Sequence, residues 1–397
     1  MTATGIGLIG CGHRGIAGFL DTLVELGHRE RVVGLCDGNP ARLSYARDRL
    51  ANAETRVYAD HHDLLAQSDI GTVIIATPDH SHAALVIDAF AAGKRVVCEK
   101  PLATRLVDCQ SIMRHSAGHN LHVAFNFRYN PVCRMVKDLL VAGTIGPVLQ
   151  VVAEDIVGWE HGSDYFRRWH RLARNSGSLL VHKSVHAFDV INWWLDEPPS
   201  AVYASAATLF YTPDLQRGER CTTCSATADC RFAIDLTAPV PGQVAPSEEF
   251  YSRLYVDGFK HDGYSRDTCV FHANNDVPDT YNVSIRYPSG CRVSYAAMFY
   301  GSYEDRRFSL QGTKGRIEMS RHDNRIRVYR DGDCEIIDVS AESGTHGGAD
   351  RRLVRALFDS SEADRLPTAE AGYWSAALSA VANDSIAASR ELPIPAP

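Results

Sequence analysis

The 397-residue chain lacks any apolar run near the roughly 18 residues that a membrane-spanning helix needs, so no membrane partner is expected. It lacks a basic excess. Its 41 Lys and Arg stand against 48 Asp and Glu, a net charge of -7, whereas neutralising nucleic-acid phosphates needs the reverse balance. No basic leader or small-residue cleavage site precedes the strand-like residues 6–9, so no secretion signal is read and a cytoplasmic setting is expected. No internal repeat is found. The cysteines form no even-numbered framework: eleven are scattered along the chain, which suits free thiols in a reducing compartment. What is present is ordinary globular composition, 45% hydrophobic and 22% charged, and length enough for two domains.

Residues 5–15 read as a strand, a glycine turn and a helix start, with Gly10, Gly12 and Gly15 in the spacing G-x-G-x-x-G. The first glycine permits a tight turn and the second lets the backbone approach a pyrophosphate. The third lets helix and strand pack closely, so the loop, with His13 and Arg14 in it, is a candidate dinucleotide site. The strand at 32–37 ends in Asp37, about 20 positions on, where a carboxylate accepts the ribose hydroxyls and repels a 2′-phosphate. That favours NAD over NADP, although Arg42 stands close by and Asp37 could instead cap the helix that follows. Apolar strands and helices then alternate through residue 125, as in a parallel sheet covered on both faces. Such sheets bind ligands at the carboxyl ends of their strands. Three polar ends qualify: Thr77-Pro78-Asp79-His80-Ser81-His82, Glu99-Lys100-Pro101, and Asn126-Phe127-Arg128-Tyr129-Asn130-Pro131. Thr77, Pro78, His82, Glu99, Lys100 and Asn126 are the expected cofactor contacts there. Arg128 and Tyr129 are expected to face the substrate. Glu99 and Lys100 could also be no more than a solvated charge pair after a strand.

In the second half, residues 159–174 are rich in arginine and aromatics, including Trp159, Arg168 and His170. They fit a surface ion-pair helix, or the wall of a pocket for a polyhydroxylated ligand. His182, His186 and Asp189 fall at i, i+4 and i+7, one stripe of a helix, with Lys183 beside them. Cys221, Cys224 and Cys230 have the spacing C-x2-C-x5-C. With Cys269 as a fourth ligand, or His272 in its stead, they could hold a structural zinc; a disulfide or free thiols are the alternatives. A loop at 238–246 lies near the cluster, within an insertion at about 211–275. Strands near 282–287, 293–299, 307–311, 315–319 and 326–330 are joined by short turns, hence mostly antiparallel. Asp350 reads as a helix N-cap. Residues 373–389 read as an amphipathic helix, and C-terminal helices occupy about 350–390.

The glycine fingerprint, T-P-x-x-x-H, E-K-P and N-x-R-Y-N-P occur in the order found in the glucose-fructose oxidoreductase / inositol dehydrogenase / rhizopine-catabolism (Gfo/Idh/MocA) family, which this chain resembles along most of its length. The resemblance implies an α/β fold. A Rossmann domain, 1–125, is followed by an α/β domain, 126–397, with a large, mostly antiparallel open sheet. It implies hydride transfer between NAD(P) and a hydroxyl of a sugar or cyclitol, with Lys100 near the nicotinamide and the reacting oxygen. It places His186 on the family's general base and His346 near the substrate, and it implies a homodimer or homotetramer. His182 departs from the family, where an aspartate is common. Lys183 or Asp189 could then tune or orient His186. Besides a dehydrogenase, two readings stay open: a glycoside-cleaving lyase or hydrolase with retained NAD, and a non-catalytic NAD or sugar sensor.

Overall fold

The computed structural model describes residues 5–236, 247–340, 345–359 and 366–397; the side chains of 345 and 346, and the expected loop at 238–246, lie outside the described residues. Two sheets organise the chain. The first has six parallel strands in the order β3-β2-β1-β4-β5-β6. These are β1 (Gly5–Ile9), β2 (Val32–Cys36), β3 (Arg56–Tyr58), β4 (Ile70–Ile75), β5 (Arg95–Cys98) and β6 (Leu121–Val123). Ile6, Leu8, Val73, Ile74, Val96 and Val97 are all buried, because helices cover both faces. Each such side chain contributes about 1.5–3 kcal/mol of burial. The strand order reverses between β1 and β4, which opens a crevice at their carboxyl ends.

The second sheet has nine strands in the order β14-β13-β12-β11-β7-β10-β9-β8-β15. They are β7 (Val148–Gly158), β8 (Ala201–Ala207), β9 (Thr280–Arg286), β10 (Arg292–Gly301), β11 (Asp305–Gly312), β12 (Arg316–Ser320), β13 (Arg325–Arg330), β14 (Asp333–Asp338) and β15 (Leu392–Pro393). β7 and β10 pair in parallel, and the other neighbours are antiparallel. In β9, Tyr281, Val283 and Ile285 are buried and the residues between them exposed, the two-residue period of a half-covered sheet. The opposite face leaves Leu149, Val152, Tyr203 and Ile336 exposed.

Two elements differ from the sequence reading. The last helix, Ala369–Ala388, is buried nearly all round rather than amphipathic. It is wedged among β8, β6 and the helices Leu106–His115 and Val185–Leu195, so no side of it needs a polar stripe. The insertion between β8 and β9 does not stay with its own sheet. Phe250, Tyr251, Leu254 and Tyr255 join the core formed by β1 and the helix Pro40–Leu50. Among the described residues, no helix is long and apolar enough to cross a membrane.

A buried polar knot ties the middle of the second sheet. Asp155 on β7 lies opposite Arg306 on β11 and is hydrogen-bonded to its Nε and Nη2. It also accepts Tyr295 Oη of β10 at 2.9 Å. Removing one partner of such a pair strands the other's charge. Asp155→Ala is therefore expected to lower the unfolding free energy by about 3–5 kcal/mol, read as a shift in the urea midpoint.

Candidate active site and cofactor groove

The glycine loop has the geometry of a dinucleotide turn. Gly10 has φ +98°, and its N–H donates to Cys36 O at 2.8 Å. A Cβ on Gly15 would stand 1.9 Å from Gly10 O, whereas one on Gly12 would meet nothing within 4 Å. The open side of the loop is thus at Gly12, and Gly15 packs helix against strand. Asp37 closes β2 with its carboxylate held by the N–H groups of Cys11 and Asn39, each at 2.8 Å. Arg42, the nearby cation, is tied to Asp262 of the insertion at 2.7 Å.

Behind the loop lies an ion-pair network. Arg14 donates from Nε to Glu99 at 2.8 Å and from its two terminal nitrogens to Asp350 at 3.2 Å each. Asn126 donates to the same Asp350 at 2.7 Å, and Glu99 accepts the Lys100 N–H at 3.0 Å. Asp350 is therefore the buried counter-ion of this network. The position before the helix Ala349–Phe358, where Asp350 was expected as a cap, belongs to Gly348.

Lys100 lies just beyond β5 and joins Pro101 through a cis peptide bond. Its Nζ donates to the carbonyl of His182 at 2.7 Å, across 82 positions of sequence. His182 lies in a π-helical turn, Leu180–Ser184, that opens the helix Val185–Leu195. Its Nδ1 is 2.7 Å from Asp79, at the end of β4. Burial pushes His182 well below the usual imidazole value, and Lys100 and His170 push it further. Burial pulls Lys100 down from 10.5, against the opposing pull of Asp79 and Glu99. Burial raises Asp79, and Lys100 opposes that rise.

Around this centre His170 stacks on Trp169 at 3.8 Å and stands 4.2 Å from His182, ring to ring. His170 is 5% exposed and its Nδ1 has no hydrogen-bond partner. Burial and Arg168 push its pKa well down. A chain of contacts enters from the second sheet: Glu304 binds His161 Nδ1 at 2.9 Å, and His161 Nε2 lies 2.9 Å from Tyr165 Oη. Lys183 sits beside Tyr165, its pKa lowered by burial to about 8.

These groups line one cavity of about 1280 Å³ running from Asp37 past the glycine loop to His322. Gly10, Gly12, His13, Arg14, Asp37, Thr77, Pro78, Glu99, Lys100 and Asn126 line its cofactor side. Trp159, Arg168, His170, His182, Lys183 and His186 line it toward the second sheet. Gly15, His82, Arg128 and Tyr129 do not. His82 is fully buried, with its ring nitrogens on Pro101 O and Thr77 O at 2.7 and 3.0 Å, so it joins two loops rather than facing a ligand. Arg128 is consumed by a double hydrogen bond to Asp189, at 2.8 and 2.6 Å, and Tyr129 is buried in the core. That pair also turns Asp189 toward Arg128. His186 packs its ring 4.8 Å from that of Phe127. His346 lies in the turn Thr345–Gly348, its side chain outside the described residues. Asp79, His161, Tyr165 and Glu304 had no assigned role. Asp79 was visible in a polar strand end, whereas nothing local in the sequence marks Glu304.

All eleven cysteines are free. Among the described residues, Asp60, His61 and His62 form the one group of three or more candidate metal ligands whose atoms all lie within 4.8 Å of one another. No three of the sulfurs of Cys221, Cys224, Cys230 and Cys269 reach that spacing.

A six-stranded parallel sheet with an acid at the end of β2, an open glycine turn and a cavity along its strand ends has the form of a dinucleotide-binding domain. The sequence profile of the oxidoreductase family's NAD-binding Rossmann fold matches residues 4–127, and that of its C-terminal α/β domain matches 137–394. The chain belongs to the Gfo/Idh/MocA family of NAD-binding oxidoreductases. YteT of Bacillus subtilis (strain 168), named only as an oxidoreductase, is 30% identical over 403 residues, 93% of this chain and 92% of YteT. The inositol 2-dehydrogenase of Salmonella typhimurium (strain LT2) is 27% identical over 265 residues, 62% of this chain and 71% of its own. Among solved structures, levoglucosan dehydrogenase in complex with NADH and levoglucosan shares the fold with a TM-score of 0.72 at 20% identity, 99% of each chain being covered. An oxidoreductase domain protein from Kribbella flavida does so with a TM-score of 0.75 at 20% identity, over 100% of both chains.

Gly15→Ala drives a methyl group into Gly10 O. It is expected to weaken NADH binding at least about tenfold, measured by fluorescence titration of the reduced cofactor.

Proposed function

We propose that the protein is an NAD-dependent dehydrogenase acting on a secondary hydroxyl of a sugar, glycoside or cyclitol, with Lys100, His182 and Asp79 as its chemical centre. The observation that carries this reading is the convergence of the three inside the cavity: Lys100 Nζ on His182 O and His182 Nδ1 on Asp79, both at 2.7 Å. The nicotinamide, when bound, accepts the hydride, and the protein holds the oxygen and its proton. The Lys100 ammonium stabilises the charge that grows on that oxygen. His182 is kept neutral, and with Nδ1 tied to Asp79 its Nε2 is the ring atom left to take the hydroxyl proton. His186, the base that family resemblance implies, stands one turn along the same helix beside Phe127 and serves as a wall for the substrate. Trp159, Tyr165 and Trp169 offer apolar faces, and His161, His170 and Lys183 offer polar contacts, as a polyhydroxylated ring requires. The names of the inositol and levoglucosan dehydrogenases support that substrate class.

NAD rather than NADP is the cofactor on this reading, because Asp37 meets the ribose and Arg42 is already neutralised by Asp262. The eleven free thiols suit a cytoplasmic setting. The wall that Leu254, Tyr255 and Tyr264 of the insertion add to the groove favours a second reading, in which NAD stays bound. A glycoside would then be oxidised, cleaved by elimination beside the new ketone, hydrated and reduced again by the same hydride.

The test is a panel of sugars, glycosides and cyclitols with NAD, read at the NADH band. One member is expected to give NADH, with Lys100→Met and His182→Asn each lowering kcat about 10²–10³-fold. Glycoside consumption without net NADH would select the second reading, and full turnover by Lys100→Ala would sink both. His182 must be neutral to accept the proton, and its pKa lies below 6.5. The acid limb of kcat/KM therefore falls below pH 6.5. His186→Asn is expected to cost less than His182→Asn; the reverse order would give the proton to His186.

The exposed Leu149, Val152, Tyr203 and Ile336 support a second copy of the chain on the open face of the nine-stranded sheet. Light scattering is expected to give a dimer or tetramer, and Val152→Asp to shift it toward the monomer.

A further inference from the structure

Between β8 and β9 the chain crosses to the first sheet and returns. The far end is anchored there: Asn39 Nδ2 donates to Gly258 O at 2.9 Å and to Asp262 at 2.8 Å, and Phe250 packs 5.2 Å from His13. The outgoing and returning strands meet at a narrow neck. There Cys221 N donates to Asp267 O at 2.8 Å and Cys269 N to Glu219 O at 2.9 Å, flanking a bridge between Arg220 and Thr268. The neck therefore sets Cys221 and Cys269 on adjacent strands.

The loop after Cys221 curls back on itself. Thr227 Oγ1 lies 2.8 Å from Cys221 O and 2.6 Å from Cys224 O, and Cys230 N donates to Thr227 O at 3.3 Å. The loop that carries Cys224 and Cys230 thus closes back toward Cys221, and the Cys224 side chain stands against Gly218 at the neck. Six of the other cysteines are buried as small apolar side chains and Cys334 is exposed. These four alone are half-buried.

We infer that Cys221, Cys224, Cys230 and Cys269 bind one structural zinc ion as four thiolates and so lock the neck of the segment that walls the cofactor groove. Four sulfur ligands in a C-x2-C-x5-C array with a fourth from a neighbouring strand suit a tetrahedral, redox-inert soft ion. Full thiolate coordination leaves no open position, so the metal takes no part in hydride transfer. Each thiol gives up its proton on binding, and no electron is exchanged. No three of the four sulfurs lie within 4.8 Å of one another, so binding has to draw them in to about 2.3 Å from the metal. The rival cluster at Asp60 is already engaged: Asp60 accepts His62 N–H and His61 Nε2 is bound to Asp88.

The full chain, purified without chelator, is to be analysed by inductively coupled plasma mass spectrometry, with mercurial titration of its thiols in the presence of a zinc-sensitive dye. About one zinc per chain is expected, released as the thiols are titrated. Cys224→Ser and Cys269→Ser are each expected to lose most of it, and His61→Ala to keep it. A wild-type chain that takes up less than about a tenth of an equivalent from added zinc, with all four thiols free to titrate, would overturn the inference. So would a disulfide among them in mass spectra. Both readings come from the wild-type protein, so they hold even where a serine variant fails to fold.

Discussion

Arg14 holds the cofactor side of this protein together. It leaves the glycine loop and reaches Glu99 at the end of β5 and Asp350 on the C-terminal helix Ala349–Phe358, while Asn126 meets the same aspartate from beyond β6. Two buried carboxylates, at 6% and 2% side-chain exposure, share one guanidinium that is itself one-third exposed. A forked, always-charged donor is the group that can satisfy both in fixed directions, and lysine could not. Three parts of the chain are thereby held at set distances: the phosphate turn, the strand that ends in Lys100, and the segment after β6. Glu99 then passes the constraint on, because its second oxygen accepts the Lys100 N–H. The position of Lys100 is a property of this network as much as of its own strand.

Electrostatics within the cavity follow from who pairs with whom. Lys100 spends a donor on a neutral carbonyl, and Asp79 and Glu99 act on its charge from nearby without a direct hydrogen bond to its Nζ among the described contacts. His13, His170 and His182 are all pushed toward the neutral form, with burial as the largest cause and cations adding to it. The histidines are therefore acceptors in a field set by lysine and arginine. Replacing the aspartate expected at position 182 by histidine fits this field. The carboxylate that pairs with residue 182 comes instead from Asp79, on the other sheet.

Local features were legible in the sequence. The glycine turn, Asp37 and the strand leading to Lys100 each depend on residues within a few positions of one another, and the short turns of the second sheet announced its mostly antiparallel pairing. Arg128 was misread because it sits within a motif, and only the fold shows that Asp189, 61 positions away, has claimed it. The stripe of His182, His186 and Asp189 was readable as spacing. Its three members nevertheless face three different partners, because a π turn precedes the regular helix and each neighbour arrives from a separate element. The insertion showed only cysteines and a loop. Its aromatic residues dock on the helix Pro40–Leu50, a contact that no periodicity within either segment encodes.

The all-round burial of the helix Ala369–Ala388 has a consequence for the order of assembly. The first sheet can pair its strands as soon as about a third of the chain has left the ribosome, since domains fold largely as units during synthesis. The helix that carries His186 cannot do the same. Its packing partner is this last helix, which also touches β6 and β8, while Pro367 and Thr368 just ahead of it bond to Val123 and His122. The cofactor half can exist early as an unfinished receptacle. The contact between Lys100 and His182 is brought into register only when the end of the chain arrives.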